Sequence, residues 1–130
     1  MNIQNPIIAP AEGRIRILTI PMNGMPREFI FLNFPDRYSG SASVLAWSRE
    51  HQLRPIGPVA CFEIGECAPE LYRDLGMDFM AIVSLDPEAR KAYGVSWKLS
   101  ERTVILPDFD GAFSTDAWFV FQRITAPLHF

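Results

Sequence analysis

Residues 29–43 read FIFLNFPDRYSGSAS, and this stretch decides the fold class that the sequence predicts. It opens with four consecutive apolar residues, 29–32, which leave no polar face for water. A strand that is apolar on both faces is covered on both sides, so we expect it inside a sheet flanked by helices. Pro35 cannot donate a hydrogen bond to a neighbouring strand and ends it. The serine-rich loop that follows leads into a helix, and we expect a site where strand, loop and helix meet.

The composition is that of an ordinary folded domain. The chain has 130 residues, of which 48% are hydrophobic and 12% aromatic, and this is enough to build a core. The net charge is −3, and no basic stripe exists to follow a phosphate backbone, so nucleic-acid binding is not expected. No apolar run approaches the roughly 20 residues that span a bilayer. Residues 1–10 do not resemble a signal peptide, so we expect a cytoplasmic protein without membrane association.

We predict one domain over residues 1–130, with an extended arm at 1–13 and a tail at 123–130. Alternation of strands and helices in the first half predicts parallel strands with right-handed crossovers. Asp110 and Gly111 are typical of a hairpin, which would add antiparallel strands at the end. The predicted elements are strands at 14–20 (an edge strand), 27–34, 59–64, 79–83, 102–107 and within 112–122, and helices at 43–53 (capped by Ser41 or Ser43), 67–75 and 86–94.

Four segments of the chain resemble one known superfamily. They are REFIFLNFP at 27–35, DRYSGSAS at 36–43, DPEARKAYGV at 86–95 and ERTVILPDFDGAF at 101–113. Together they resemble the thioredoxin-like superfamily, and more narrowly the peroxiredoxins of the alkyl hydroperoxide reductase/thiol-specific antioxidant family. The resemblance implies a three-layer α/β sandwich with a mixed central sheet flanked by helices and with a C-terminal helix that is short or absent. It also implies an ancestry in thiol peroxidases and redox homeostasis.

The resemblance places a degenerate active site in the opening stretch. Counted from Pro35, the position of the family's hydroxyl residue falls on Ser39, and that of its peroxidatic cysteine falls on Ala42. Arg102 matches the arginine that orients the peroxide in active members, and here it would bind another anion or be inherited without a role. A serine cannot replace the thiol, because it needs an adjacent general base and cannot cycle through oxidation states. The implied vestigial pocket comprises Tyr38, Ser39, Ser41, Ala42, Ser43 and Arg102.

Two cysteines, Cys61 and Cys67, are the redox candidates. In one interpretation Cys67 opens a helix and is acidified there, with Cys61 as the resolving thiol. In the other, Cys61 is a small buried hydrophobic residue in the middle of a strand. Two thiols with no nearby histidine make half a zinc site, so we expect neither a metal nor a cofactor.

Aromatic residues gather towards the C-terminal end of the chain. Either the tail covers them, or they stay open and mark an interface with a protein partner or a second copy. We expect the chain to associate with a protein partner or with a second copy as a homodimer. The candidate interface residues are Phe113, Trp118, Phe119, Phe121 and Phe130.

Three functions stay open at this point. The first is a non-catalytic domain that acts by binding a protein or a small ligand. The second is a thiol-dependent oxidoreductase that uses Cys61 and Cys67. The third is a binder of anions or small molecules at the former active-site pocket.

Overall fold

A computed structural model describes residues 6–124, and these form one mixed sheet with helices on both of its faces. The mixed α/β class that the sequence predicts is therefore confirmed. The strands are β1 (Arg14–Met22), β2 (Met25–Asn33), β3 (Leu53–Pro55), β4 (Phe79–Asp86), β5 (Lys91–Lys98), β6 (Glu101–Ile105) and β7 (Ala117–Arg123), and the helices are α1 (Ser41–Glu50), α2 (Gly57–Cys67) and α3 (Leu71–Asp74).

The sheet runs in the order β1-β2-β7-β4-β5-β6, and the short β3 pairs with the end of β7. Strands β4 and β7 are parallel, and the other described pairings are antiparallel. The expectation of parallel strands in the first half was wrong. Asn23 and Gly24, both with positive φ, form a two-residue turn that joins β1 to β2 as a hairpin. On its other side β2 is antiparallel to β7, so neither neighbour of β2 is parallel to it.

The apolar half of β2 behaves as its composition predicts. Its last five residues, 29–33, are buried, and the strand lies inside the sheet, whereas β1 lies at the edge. Phe29 and Phe31 point to one side of the sheet, while Ile30 and Leu32 point to the other. Each side therefore receives large apolar side chains from the same strand, and each is covered by helices.

We name the two sides after the helices that cover them. On the α1 face, Val44, Leu45 and Trp47 pack in one core with residues of β2 and β7. On the α2 face, Cys61 and Ile64 pack in a second core. None of the helices within residues 6–124 has the length and apolar character needed to cross a bilayer.

Two predicted elements have the opposite secondary structure. Residues 59–64 were predicted as a strand but lie inside α2, which begins at Gly57 with Pro58 in its first turn. Residues 86–94 were predicted as a helix but form the end of β4, a tight turn and the start of β5. Asp86 accepts a hydrogen bond from the Ala89 amide (3.1 Å), as at a helix start, yet the chain turns back there. The aspartate-led helix that the resemblance implies is therefore not formed.

Other predicted elements need smaller corrections. Helix α1 exists, but its N-cap is Gly40, so neither Ser41 nor Ser43 caps it as predicted. The predicted helix at 67–75 is reduced to α3, because α2 already ends at Cys67. The predicted final hairpin was wrong, since β6 pairs with β5 while β7 lies between β2 and β4. The predicted tail at 123–130 begins in the last residue of β7 and lies mostly outside the described residues.

Candidate functional site

The loop after β2 is fastened to the segment that precedes β7. Ser39 and Phe113 exchange two backbone hydrogen bonds, of 3.1 Å and 2.8 Å. The Ser41 hydroxyl, which is buried, donates to the carbonyl oxygen of Phe109 at 2.6 Å. The Ser43 hydroxyl is exposed and donates to the Gly40 carbonyl at 3.1 Å. The hydroxyls of Ser41 and Ser43 are thus occupied in holding the loop and the helix start.

An open cleft of about 400 Å³ lies at the start of α1, on the α1 face. The methyl group of Ala42 is exposed where the resemblance would place a sulfur atom. Tyr38 is also exposed but does not line the cleft. We call this space the loop cleft, and it is lined by Gly40, Ser41, Ala42, Leu45, Pro87, Arg90, Phe109, Asp110 and Gly111.

The loop cleft combines a helix start with a cation. Within residues 6–124, the backbone N–H groups of Ala42 and Ser43 have no hydrogen-bond acceptor, as expected for the first turn of a helix. The Arg90 guanidinium forms an ion pair with Asp110 and lies 5.4 Å from the centre of the Phe109 ring. Both members of the ion pair are largely exposed. The cleft therefore has backbone hydrogen-bond donors and a positive potential, and the Asp110 carboxylate partly neutralises that potential.

Arg102 is not part of this cleft, and its predicted place beside Ser39 and Ala42 was wrong. It lies on β6 opposite Trp97, which belongs to the core of the α2 face. Its guanidinium donates to the carbonyl oxygen of Gly65 in α2. The sheet separates it from the loop. Arg90 stands at the cleft instead, in the turn between β4 and β5 that the sequence predicted as a helix.

The two cysteines do not form a redox pair in this fold. They lie six residues apart on α2, which separates their Cα atoms by about 9 Å along the helix axis, beyond the roughly 7 Å that a disulfide bridges. Cys61 is fully buried, and burial raises the pKa of its thiol to about 12. Its sulfur lies 3.7 Å from the Tyr93 carbonyl oxygen. Cys67 is exposed but ends the helix, so it lacks the helix-start position on which its predicted role depended.

Four of the five predicted interface residues lie inside the chain. Phe113, Trp118, Phe119 and Phe121 are all buried. Trp118, Phe119 and Phe121 are buried because β7 lies between β2 and β4 with a core on each face, and Phe113, which precedes β7, packs in the core of the α1 face. They were wrongly predicted as a docking surface, and Phe130 lies outside the described residues.

Within residues 6–124, no histidine lies beside the loop serines to act as a general base. His51 follows the last residue of α1, and its Nδ1 lies 3.0 Å from the Trp47 carbonyl oxygen. A helix of ten residues separates it from the loop by about 15 Å. His129 lies outside the described residues. Residues 6–124 contain no group of three or more His, Cys, Asp or Glu side chains that would hold a metal ion.

No protein-family model matches the chain, and no curated protein or solved structure matches it either. The geometry of the described residues is thus the basis on which function rests.

Proposed function

We propose that this chain is a non-catalytic domain that binds a small anionic ligand, a carboxylate or a phosphate, at the loop cleft. The observation that carries the proposal is the arrangement of the cleft. The first turn of α1 opens onto it beside Arg90, and Ala42, at the position that the resemblance assigns to the reactive thiol, carries no sulfur.

The start of α1 supplies the anion-binding groups. Free backbone N–H groups at a helix N-terminus donate to anions, and the helix dipole favours negative charge there. Arg90 adds a full positive charge and a planar set of donors that match carboxylate and phosphate geometry.

Asp110 is the competitor that a ligand must displace. Its ion pair with Arg90 is largely exposed, and exposed pairs contribute at most about 1 kcal/mol. A ligand that also reaches the N–H groups of Ala42 and Ser43 gains contacts that Asp110 does not make. The apolar surface of Leu45 and Phe109 favours a ligand with a carbon skeleton beside its acidic group.

The test is a titration of the ¹⁵N-labelled chain with inorganic phosphate and with succinate. We expect the amide signals of Ala42 and Ser43 to shift and to saturate at millimolar ligand. Arg90→Gln should weaken binding about tenfold, the loss of one charge-assisted contact. Arg49→Gln, at the far end of the same helix, is the matched control and should bind as the parent does. Unchanged signals up to about 50 mM of either ligand would refute the proposal.

The alternative, a thiol-dependent oxidoreductase, has a separate test. Treatment of the native chain with hydrogen peroxide, followed by mass spectrometry, should leave Cys61 unmodified, because its thiol is buried and protonated. Denaturation should expose it to alkylation. Dithiothreitol-dependent peroxide consumption that disappears in Cys67→Ser would favour the oxidoreductase over the binding domain.

A thioredoxin-like origin stays a prediction. It is supported by the order of buried strand, loop and helix at β2 and α1, and by helices on both faces of the sheet. The antiparallel neighbours of β2 and the turn that follows Asp86 speak against it. A cytoplasmic location and a protein partner or second copy also stay predictions.

A further inference from the structure

The two edges of the sheet line the same groove on the α2 face, opposite the loop cleft. This groove of about 530 Å³ is bounded by residues 19–21 of β1 and by Ser100 and Arg102 at β6, and residues 67–71 line its floor. A second cleft, of about 220 Å³, continues it between α2 and β6 and shares Arg102. We call the two together the edge trench. Together they extend from β1 past α2 to β6.

The outer backbone edge of β6 borders this trench and has no strand partner among residues 6–124. Lys98 and Glu101 pair across a two-residue turn, so they form a hydrogen-bonded pair. The pattern alternates along the strand, and it follows that the N–H and C=O groups of Arg102 and Val104 point away from β5. None of the backbone hydrogen bonds among residues 6–124 uses them on that side. Such an edge is a template for one more strand.

The charges around the trench select the kind of strand. Glu66, Glu70 and Asp74 line it, and Glu70 is paired with Arg73 (Nη1 to Oε1, 3.3 Å). The arginine in the trench, Arg102, is already engaged by the Gly65 carbonyl oxygen. The three acidic side chains that line the trench thus outnumber its one lining arginine. This surface is complementary to lysine and arginine side chains.

Apolar surface is also open beside the edge. Val104 is 60% exposed, although its side chain lies on the α2 face opposite Val95, which is buried. Phe62 lines the same part of the trench. An added strand would turn one row of its side chains towards the α2 face, where the stems of lysine side chains would cover Val104 and their ammonium groups would reach the acidic rim.

We propose that the edge trench binds an extended, basic segment of a partner protein, which adds a strand beside β6. Main-chain hydrogen bonds to Arg102 and Val104 would supply affinity, and the acidic rim would select basic side chains. The trench and the loop cleft lie on opposite faces of the sheet, so this proposal stands or fails independently of anion binding.

The experiment uses a fluorescein-labelled peptide of about seven alternating valines and lysines, the length of a typical strand. Fluorescence anisotropy should show saturable binding to the chain. A peptide with glutamate in place of lysine should bind at least about tenfold more weakly, as like charges meet at the rim. Bound lysine peptide should also slow alkylation of Cys67, which is exposed in the trench, whereas Cys61 is buried and does not interfere.

Two matched pairs of variants locate the binding. Val104→Pro removes the outward N–H of the edge and should weaken the lysine peptide about tenfold, while an edge position tolerates proline. Ile17→Pro is its control, because Ile17 has an outward N–H on the other edge strand and does not line the trench. Asp74→Lys should weaken binding, and Glu88→Lys, in the distant turn after β4, should not.

Three outcomes would overturn the proposal. The first is equal affinity for the lysine and glutamate peptides. The second is Val104→Pro binding as tightly as Ile17→Pro, with both variants folded by circular dichroism. The third is a dimer in sedimentation equilibrium that Val104→Pro dissociates while no peptide binds, which would assign the edge to a second copy.

Discussion

Strands β2 and β6 belong to the same sheet and both contain apolar residues, yet they have opposite environments. Residues 29–33 of β2 are all buried, whereas the first four residues of β6 are all exposed. Composition alone does not explain this, because Val104 is as apolar as many core residues and is 60% exposed. The position of each strand in the sheet decides whether its apolar side chains are buried. β2 has strands on both sides and a core on each face, while β6 has one neighbour and a half-covered face. Structural stability should therefore reside in β2 and recognition at β6.

The sharpest test of this contrast is truncation of one side chain in each strand. Phe31→Ala removes a fully buried ring from the α2-face core and should lower the free energy of unfolding by about 3–5 kcal/mol. Val104→Ala should change it by less than about 0.5 kcal/mol, because most of that side chain is already in water. Urea denaturation followed by circular dichroism measures both. Equal losses in the two variants would remove the distinction between the strands.

Gly94, on β5, is packed closely between β4 and β6. A Cβ atom added at Gly94 would lie 2.5 Å from the Ile82 carbonyl oxygen and 3.0 Å from Ile105 of β6. Gly94→Ala should therefore cost about 1–3 kcal/mol through strain in the sheet. Gly111→Ala is the control, since its Cβ would meet only the Asp108 side chain, at 3.4 Å. Thermal unfolding of both variants should show a lower midpoint for Gly94→Ala alone, and a midpoint like the parent's would contradict this packing.

The buried end of β2 holds one polar side chain, Asn33, which is fully satisfied. Its amide nitrogen donates to the carbonyl oxygens of Thr115 (2.8 Å) and Ala117 (2.9 Å), and its oxygen accepts from Arg14 (2.9 Å). Asn33→Ala leaves two carbonyl groups without their donor and should cost about 1–3 kcal/mol in urea denaturation. Arg14→Gln removes the exposed partner only and should cost less. A larger loss of stability in Arg14→Gln than in Asn33→Ala would show that the buried carbonyl groups find other donors.

The buried thiol beneath β5 predicts a pH dependence. The pKa of Cys61 rises from 9.0 to about 12 on folding, so between these values the unfolded chain loses a proton that the folded chain keeps. The stabilisation is fully present below pH 9 and is lost as the pH rises towards 12, by about 1.4 kcal/mol per pH unit.

Urea denaturation at several alkaline pH values measures this slope. Cys61→Ala should lack this component of the alkaline loss, and Cys67→Ala should keep it because Cys67 is exposed. A slope that survives in Cys61→Ala would assign the alkaline loss to another group.

The smallest effect is expected in the exposed first half of β2. Arg123 and Glu28 form an ion pair there (Nε to Oε1, 3.0 Å), with both side chains partly in water. Arg123→Gln should lower stability by less than about 1 kcal/mol, and the difference should shrink at high salt. Denaturation at low and high ionic strength checks this. A loss as large as that of Phe31→Ala would mean that burial does not separate the two halves of β2.

The same contrast explains what the sequence could predict. Residues 29–32 admit one interpretation, because consecutive large apolar side chains in a strand need cover on both sides. Residues 59–64 are also apolar, but a short apolar run does not distinguish a strand from a buried helix. Gly57 and Pro58 were the local signal for a helix start. At Asp86 the local signal was present and misleading, because pairing of β4 with β5 outweighed it.

The candidate site shows the same limit. Ala42 at the start of α1 followed from counting along the chain, and the structure places it there. The cation of the cleft could not be predicted in this way. Arg90 lies at the loop cleft because β4 pairs with β5 around it, and Arg102 lies on the opposite face of the sheet because side chains alternate along β6. Long-range pairing of this kind has no local pattern in one sequence.

The position of β7 also sets an order of events during synthesis. The β1–β2 hairpin and the β4–β5–β6 meander share no pairing, and β7 alone among the described strands joins them. β7 is the last of these strands to leave the ribosome. Until it does, both halves hold open edges and uncovered aromatic residues, the state in which nascent chains aggregate. Completion of the sheet therefore waits for β7, and closure by β7 is expected to be the slow, committing step of folding.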